Sequence, residues 1–393
     1  MDLKDQIKEL AHGLQSQLVQ WRRHLHANPE LSFEEHQTMA FIAATLKSLG
    51  VEFEEGVAGT GVVASIKGVN PESRTVALRS DHDALPIMEL NDVEYASKNN
   101  AMHACGHDVH TTSLLGAAKI LKETSDNWEG TVRLIFQPGE ERLPGGASIM
   151  VKEGVLENPT PEHIISQHVF PDLQAGHVGM RGGMYMASAD EIYMTINGKG
   201  GHAALPKGQC NPLLVASEVL LEFEKLIADR EEQDVKTVLA FGFIEGQGAT
   251  NIIPHQVHLK GTFRSLNEDW RFKAHKLMHD VVNDICKKRG ATAYLDIRVG
   301  YPSVYNDPDL TERMRGVAIE YLGEEKVHLL PERMTGEDFS FYAQKIPGCF
   351  YRLGTASPNS DLGHHGLHTP YFDIDESAME IGAGLMAYAA INS

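Results

Sequence analysis

From residue 61 onward the chain alternates short apolar runs with stretches whose apolar positions recur every three or four residues. Gly61-Val62-Val63-Ala64-Ser65-Ile66 and Thr75-Val76-Ala77-Leu78-Arg79 are brief and rich in β-branched residues, so both read as strands. Ahead of them, Glu34 to Leu49 repeats its apolar residues at helical spacing. Further along, Thr111 to Lys122 reads as a helix, and Thr131-Val132-Arg133-Leu134-Ile135-Phe136 and Ile164-Ile165-Ser166 as strands. Helices alternating with almost continuously apolar strands predict an α/β domain: a mainly parallel sheet with helices on both faces.

The texture changes near residue 187. Glu191 to Asn197 alternates like a half-exposed strand and Pro212 to Ile227 is an amphipathic helix. Val235 to Glu245 and Gln256 to Arg264 are strands, Asp269 to Arg289 is a second helix, and Thr292 to Val299 is a closing strand. That order predicts a ferredoxin-like α+β domain. It spans residues 187–306 and is inserted into a discontinuous domain of residues 1–186 and 307–393. Met334 to His368 reads as loop, rich in Gly, Pro and His, and Ile381 to Ile391 as a C-terminal core helix. The latter is too short for a bilayer, which takes about 20 apolar residues.

Composition narrows the function classes. Hydrophobic residues make up 42% of the 393 and charged residues 23%, as in an ordinary globular protein of two domains. Lys and Arg number 35 against 54 Asp and Glu, a net charge of −19, which argues against nucleic acid and anionic membranes as partners. Met1 to Leu10 has an amphipathic helix pattern and not the apolar core of an export signal. Four widely separated cysteines form no disulfide framework. A cytoplasmic location is expected. Cys210, Cys286 and Cys349 read as small buried apolar side chains.

Cys105 is different. It lies in His103-Ala104-Cys105-Gly106-His107-Asp108, at the start of the third helix, and a Cys thiolate with a His nitrogen two residues on is an ordinary ligand pair for Zn²⁺ and similar ions. Taken alone, the pair equally fits a buried Cys beside a capping His-Asp. Other groups share its neighbourhood, however, because Asp81 and Asp83, Glu140 and Glu141, and His168 each fall just past the carboxyl end of a predicted strand. That edge is where open α/β sheets bind ligands. The adjacent glutamates could divide two roles, one holding metal and one moving protons, or form a solvated acidic loop. Asp81 and Asp83 could be ligands or could orient imidazoles. Gly198-Lys199-Gly200-Gly201-His202 lacks the Gly-Lys-Ser/Thr ending of a phosphate loop, so His202 reads as a hydrogen-bond donor on a Gly platform. One of His364, His365 and His368 could complete a metal shell, while His24, His26, His275 and His279 are assigned no chemistry. A thiol hydrolase with Cys105 as nucleophile is the rival reading.

The motifs together resemble the amidohydrolase branch of the metal-dependent aminoacylase and carboxypeptidase superfamily, which includes hippurate hydrolases, auxin-conjugate hydrolases and N-acetyl-diaminopimelate deacetylases. They comprise Arg22-Arg23-His24-Leu25-His26-Ala27-Asn28-Pro29-Glu30-Leu31-Ser32, Asp81-His82-Asp83-Ala84-Leu85-Pro86, the Cys105 motif, Gln137-Pro138-Gly139-Glu140-Glu141, Gly200-Gly201-His202-Ala203-Ala204, Thr250-Asn251-Ile252-Ile253-Pro254 and Leu367-His368-Thr369-Pro370. The resemblance implies metal ligation by Cys105, His107, Glu141, His168 and His368, with Glu140 as general base; Asp81, Asp83 and Asp108 are read from their positions as supporting residues. It implies one or two divalent ions, Mn²⁺ or Zn²⁺ first and Co²⁺ or Ni²⁺ as substitutes. It also implies a homodimer formed through the inserted domain, which serves as a lid. His202 and Asn251 would then act in the partner's active site, and Arg264 would meet a substrate carboxylate. Many members of the wider superfamily carry His-x-Asp where this chain has Asp81-x-Asp83, which makes a thiolate-bridged metal pair the expected variant. The implied reaction is hydrolysis of N-acyl amino acids to a carboxylic acid and a free amino acid, with dipeptidase or carboxypeptidase activity at the same site as the alternative.

Overall fold

The computed structural model describes residues 2–231 and 236–393. Its larger sheet has eight strands in the order Glu52–Val57, Gly61–Lys67, Thr131–Gln137, Thr75–Asp81, His163–Gln174, Gly348–Ala356, Val178–Met180 and Val327–Leu329. The four strands from Thr131–Gln137 to Gly348–Ala356 run parallel. The Glu52–Val57 and Gly61–Lys67 hairpin joins one side antiparallel. Thr75–Asp81 and Gly348–Ala356 are buried at every position, so both faces of the sheet are covered, as expected for a parallel α/β core.

Register decides where the polar strand ends gather. Leu78 lies level with Leu134 and Ile165, and Asp81 with Gln137, so the strands deliver their carboxyl ends to one edge. Helices Leu3–Ala27, His107–Glu123 and Ala378–Asn392 pack on one another beside the sheet. They approach closely at Gly116, where a Cβ would lie 2.7 Å from both Ala383 Cβ and Leu18 Cδ2. The C-terminal helix is buried nearly all round, from Ala383 to Ala390, as its lack of polar residues requires. The N-terminal helix runs far past Leu10 because Ile7, Ala11, Leu14, Leu18 and Leu25 continue one buried stripe. Its first residue is Leu3, and the predicted start at Met1 lies outside the described residues.

Three sequence expectations are corrected. Within the stretch read as loop, Gly348–Ala356 is a central strand, and its apolar run was masked by Arg352. That side chain is buried with its guanidinium 5.1 Å from the centre of the Phe350 ring. His168 does not follow its strand but sits inside it, because His163–Gln174 continues through the polar pair Gln167-His168. The segment Glu332–Glu337 belongs to the second compact unit, not the first. Ala187 N–H is shared by the carbonyls of Arg333 and Thr335, and Arg333 N–H donates to Tyr185.

That second unit, Met184–Val304 with Glu332–Glu337, has a four-stranded antiparallel sheet in the order Thr237–Glu245, Gln256–Ser265, Ala189–Asn197, Thr292–Tyr301. Helices Pro212–Glu231 and Glu268–Arg289 pack on it, giving the ferredoxin-like order of elements. Val235, the predicted start of its second strand, lies outside the described residues. No helix among the described residues is long and apolar enough to cross a membrane.

Candidate metal centre

Cys105 and His107 stand at the entry of helix His107–Glu123, against the carboxyl edge of the parallel strands. Cys105 Sγ lies 3.4 Å from His168 Nε2 and 3.3 Å from His368 Nε2. His368 Nε2 is 3.2 Å from Glu141 Oε1, which is 4.0 Å from His107 Nε2. Ligand-type atoms of Cys105, His107 and His168 lie within 4.8 Å of one another, as do those of Cys105, Glu141 and His368 and those of His107, Glu140 and Glu141. Six side chains from four segments therefore share one small volume. His368 reaches it on a loop in the left-handed region, φ 60°, pinned by its N–H to the Ala104 carbonyl at 2.8 Å. Its two neighbours do not reach it. His364 Nε2 lies 2.9 Å from the Ser357 carbonyl, and the His365 ring packs against Tyr371.

A buried hydrogen-bonded layer aims these groups. His107 Nδ1 donates to Asp83 Oδ1 at 3.1 Å, which turns Nε2 toward the cluster. Asp83 Oδ2 accepts Ser32 O–H at 2.6 Å and Glu141 N–H at 2.9 Å. His168 Nδ1 donates to the Val169 carbonyl, leaving Nε2 toward Cys105.

Behind this layer stand residues that the sequence reading missed. His110 Nδ1 donates to Asp81 Oδ1, and its Nε2 accepts Val169 N–H at 2.9 Å. The His107-x-x-His110 spacing, one turn along the same helix face, was the available signal. Arg79, fully buried, ties Asp81 to Gln137 and Asp338, and Asp338 N–H faces Glu140 Oε1 at 3.4 Å. Asp108 points away from the cluster, toward Arg22 Nε at 2.9 Å and His26 Nδ1 at 2.7 Å. His26 is thus a structural partner that anchors the helix carrying His107.

The residues present fit a divalent cation. His107 Nε2 is buried with no hydrogen-bond partner among the described residues. Burial would lower the His107 pKa, yet Asp81, Asp83 and Glu141 push it up to about 10. Three carboxylates around one buried imidazole make this a place that favours positive charge. Burial keeps His168 neutral, well below its ordinary value, so its lone pair is available. Sulfur, imidazole and carboxylate together are a donor set for Zn²⁺ and neighbouring ions.

Comparison with known proteins agrees with this chemistry. Residues 77–392 match the model of peptidase family M20/M25/M40. This chain belongs to that family. It is a hydrolase that acts on amide bonds with the help of divalent metal. It is 38% identical to the N-acetyl-L-cysteine deacetylase of Bacillus subtilis (strain 168), over 93% of this chain and 85% of that protein. It is 36% identical to thermostable carboxypeptidase 2 of Saccharolobus solfataricus, over 100% of this chain and 99% of that one. The crystal structure of the Bacillus subtilis YXEP protein, described as a dinuclear metal-binding peptidase of family M20, superposes with a TM-score of 0.81 at 31% identity, covering 97% of this chain and 98% of that one.

The other three predicted site residues of this hydrolase lie in the second unit. His202 pairs in register with Ile252 and is exposed. Asn251 is beside it, its carbonyl accepting Ala203 N–H at 2.9 Å. Arg264 is half-buried in the strand Gln256–Ser265, opposite Val238.

Proposed function

We propose that the enzyme hydrolyses N-acyl amino acids, releasing a carboxylic acid and a free amino acid. The observation that carries this reading is one carboxylate more than a ligand shell needs. Glu140 is buried beside His107 and Glu141, while the Cys105, Glu141, His168 and His368 contacts close without it. In this reading Cys105, His107, Glu141, His168 and His368 hold one or two divalent ions, Mn²⁺ or Zn²⁺, with Co²⁺ or Ni²⁺ able to substitute. When bound, such ions lower the pKa of water from about 15.7 toward neutrality and polarise a carbonyl.

Glu140 takes the proton of the attacking water and hands it to the departing amine nitrogen. The Asp338 N–H directed at its Oε1 steadies it for both transfers. Asp83 and the Val169 carbonyl keep the imidazole tautomers of His107 and His168 fixed. The chain acts as a homodimer through residues 187–306, which also close over the substrate. His202 and Asn251 of the partner subunit donate hydrogen bonds to the carbonyl oxygen as it gains charge. Arg264 pairs with the carboxylate of the amino-acid half. The similarity to a deacetylase of an N-acyl amino acid supports this substrate class. The four unpaired cysteines support a reducing, cytoplasmic setting.

Peptide hydrolysis at the carboxyl end is the second reading, favoured by the carboxypeptidase relative. A thiol mechanism is disfavoured. Without a cation, burial and the carboxylates of Glu141, Glu140 and Asp81 hold the Cys105 thiol well above its ordinary pKa, where little thiolate exists. N-acetyl, N-benzoyl and N-indoleacetyl amino acids, assayed beside dipeptides with added Mn²⁺ or Zn²⁺, separate the two substrate classes. Glu140→Gln should abolish turnover at nearly full metal content, and a variant with the native rate would reject the base assignment.

A further inference from the structure

Glu35 occupies the N-cap position of helix His36–Ser48, yet its side chain makes no capping bond. Glu30 caps instead, accepting the N–H groups of Gln37 at 3.1 Å and Thr38 at 2.8 Å. Glu35 turns inward and is fully buried. Its two oxygens accept Thr60 O–H at 2.5 Å and Gly139 N–H at 2.8 Å. A buried carboxylate is costly unless its bonds serve some purpose, and Gly139 is the residue before Glu140.

The same segment grips the loop at other points. Phe33 takes a left-handed backbone, φ 68°, which is strained for an aromatic residue. Its ring fills the space a Cβ on Gly139 would need, and Gly139 itself sits at φ 59°. One residue earlier, Ser32 donates to Asp83, the carboxylate that accepts Glu141 N–H. Ala84 N–H bonds the Glu30 carbonyl at 2.8 Å, fastening this segment along the Asp81–Ala84 stretch. Both peptide N–H groups flanking Glu140 are therefore gripped by buried carboxylates, Glu35 on one side and Asp83 on the other.

We propose that Glu35 is a positioning residue for Glu140, reached through the Gly139 peptide, and that residues 30–35 form the clamp that holds the base-bearing loop. This rests on the reading of Glu140 as the base. Removing the acceptor frees the loop without touching metal ligand, base or substrate. A shift of about 1 Å in a reacting group costs on the order of 100-fold.

The test compares Glu35→Ala with Glu35→Gln, whose amide oxygen can still accept Gly139 N–H while its NH₂ meets the Thr60 oxygen. Glu35→Ala should raise hydrogen exchange of residues 137–141 in chelator-stripped protein. In metal-loaded protein it should lower kcat about 10- to 100-fold at unchanged metal content and little changed KM, and move the acid limb of the kcat profile. Glu35→Gln should restore both exchange protection and kcat. Native exchange and kcat in Glu35→Ala would overturn the proposal, as would losses in both variants that simply follow metal content. Glu140→Gln run alongside separates the two claims. If it keeps the native rate, the base reading falls; if it is dead while Glu35→Ala is native, only the clamp falls.

Discussion

Replacing Asp83 with Asn tests how the carboxylate behind His107 sets metal affinity. Asp83 receives three donors on two oxygens: Ser32 O–H and Glu141 N–H on Oδ2, and His107 Nδ1–H on Oδ1. Burial would raise its pKa, but the bonds to His107, Ser32 and Glu141 hold it below its ordinary value, so it acts as acceptor only. Asn supplies one accepting oxygen and one NH₂. If the oxygen keeps Ser32 and Glu141, the NH₂ faces His107 Nδ1–H, donor against donor. The imidazole then escapes only by moving its proton to Nε2, the nitrogen aimed at the cluster. The unmade bond to a charged acceptor is worth about 1.5–3 kcal/mol, or about 10- to 100-fold in metal Kd. That agrees with the usual effect of partners behind a metal ligand. Titrating chelator-stripped protein with Zn²⁺ against a chromophoric chelator measures it. Ser32→Ala merely frees a lone pair on Asp83 and should weaken binding by less than about tenfold. An Asp83→Asn protein that binds Zn²⁺ as tightly as the native chain would refute the reasoning.

Three further outcomes are expected. Arg22 is fully buried against Asp108 at 2.9 Å, Asp373 at 2.7 Å and Glu376 at 3.5 Å, so Arg22→Met strands buried carboxylates and should cost about 3–5 kcal/mol in urea unfolding. A loss below about 1 kcal/mol would contradict this. Gly116→Val should lower the unfolding free energy by about 1–3 kcal/mol, since its side chain must enter the contact with Ala383 and Leu18; calorimetry showing an unchanged Tm would oppose it. In the second unit, burial would raise the Asp190 pKa, but Arg271, His275 and the Gly300 N–H outweigh it and hold the group below 3.8. Its stabilisation is therefore complete above 3.8 and lost as pH falls through the lower folded value. Unfolding midpoints measured from pH 7 downward should fall more steeply in the native protein than in Asp190→Asn, and parallel curves would exclude the linkage.

Much of the architecture was legible because local periodicity is itself the signal. Thr75-Val76-Ala77-Leu78 has no polar break and becomes a strand buried on both faces. The ferredoxin-like unit was legible for the same reason, strand and helix periods alternating in a recognisable order. Gly348–Ala356 escaped because one arginine interrupts its run, and aromatic rings pack on that arginine inside the sheet. His26, His110, Glu35 and Asp338 escaped for a different reason. Each looks like an ordinary polar residue until its buried partner, 29 to 259 residues distant for His110 and Asp338, is known.

The sequence by itself determined the kinds of element, the α/β class and the supply of sulfur, nitrogen and oxygen donors, since these depend on residue type and near-neighbour spacing. Tertiary structure decided what the residue pattern left open among His364, His365 and His368, a choice only the family resemblance had made, and it places His368 against Cys105. It also decided that Asp108 turns back toward Arg22 and that Glu35 leaves its helix to hold Gly139. Those outcomes hinge on strand register and loop closure. They bring Cys105 to His168 across 63 residues and to His368 across 263, distances over which no local pattern carries information.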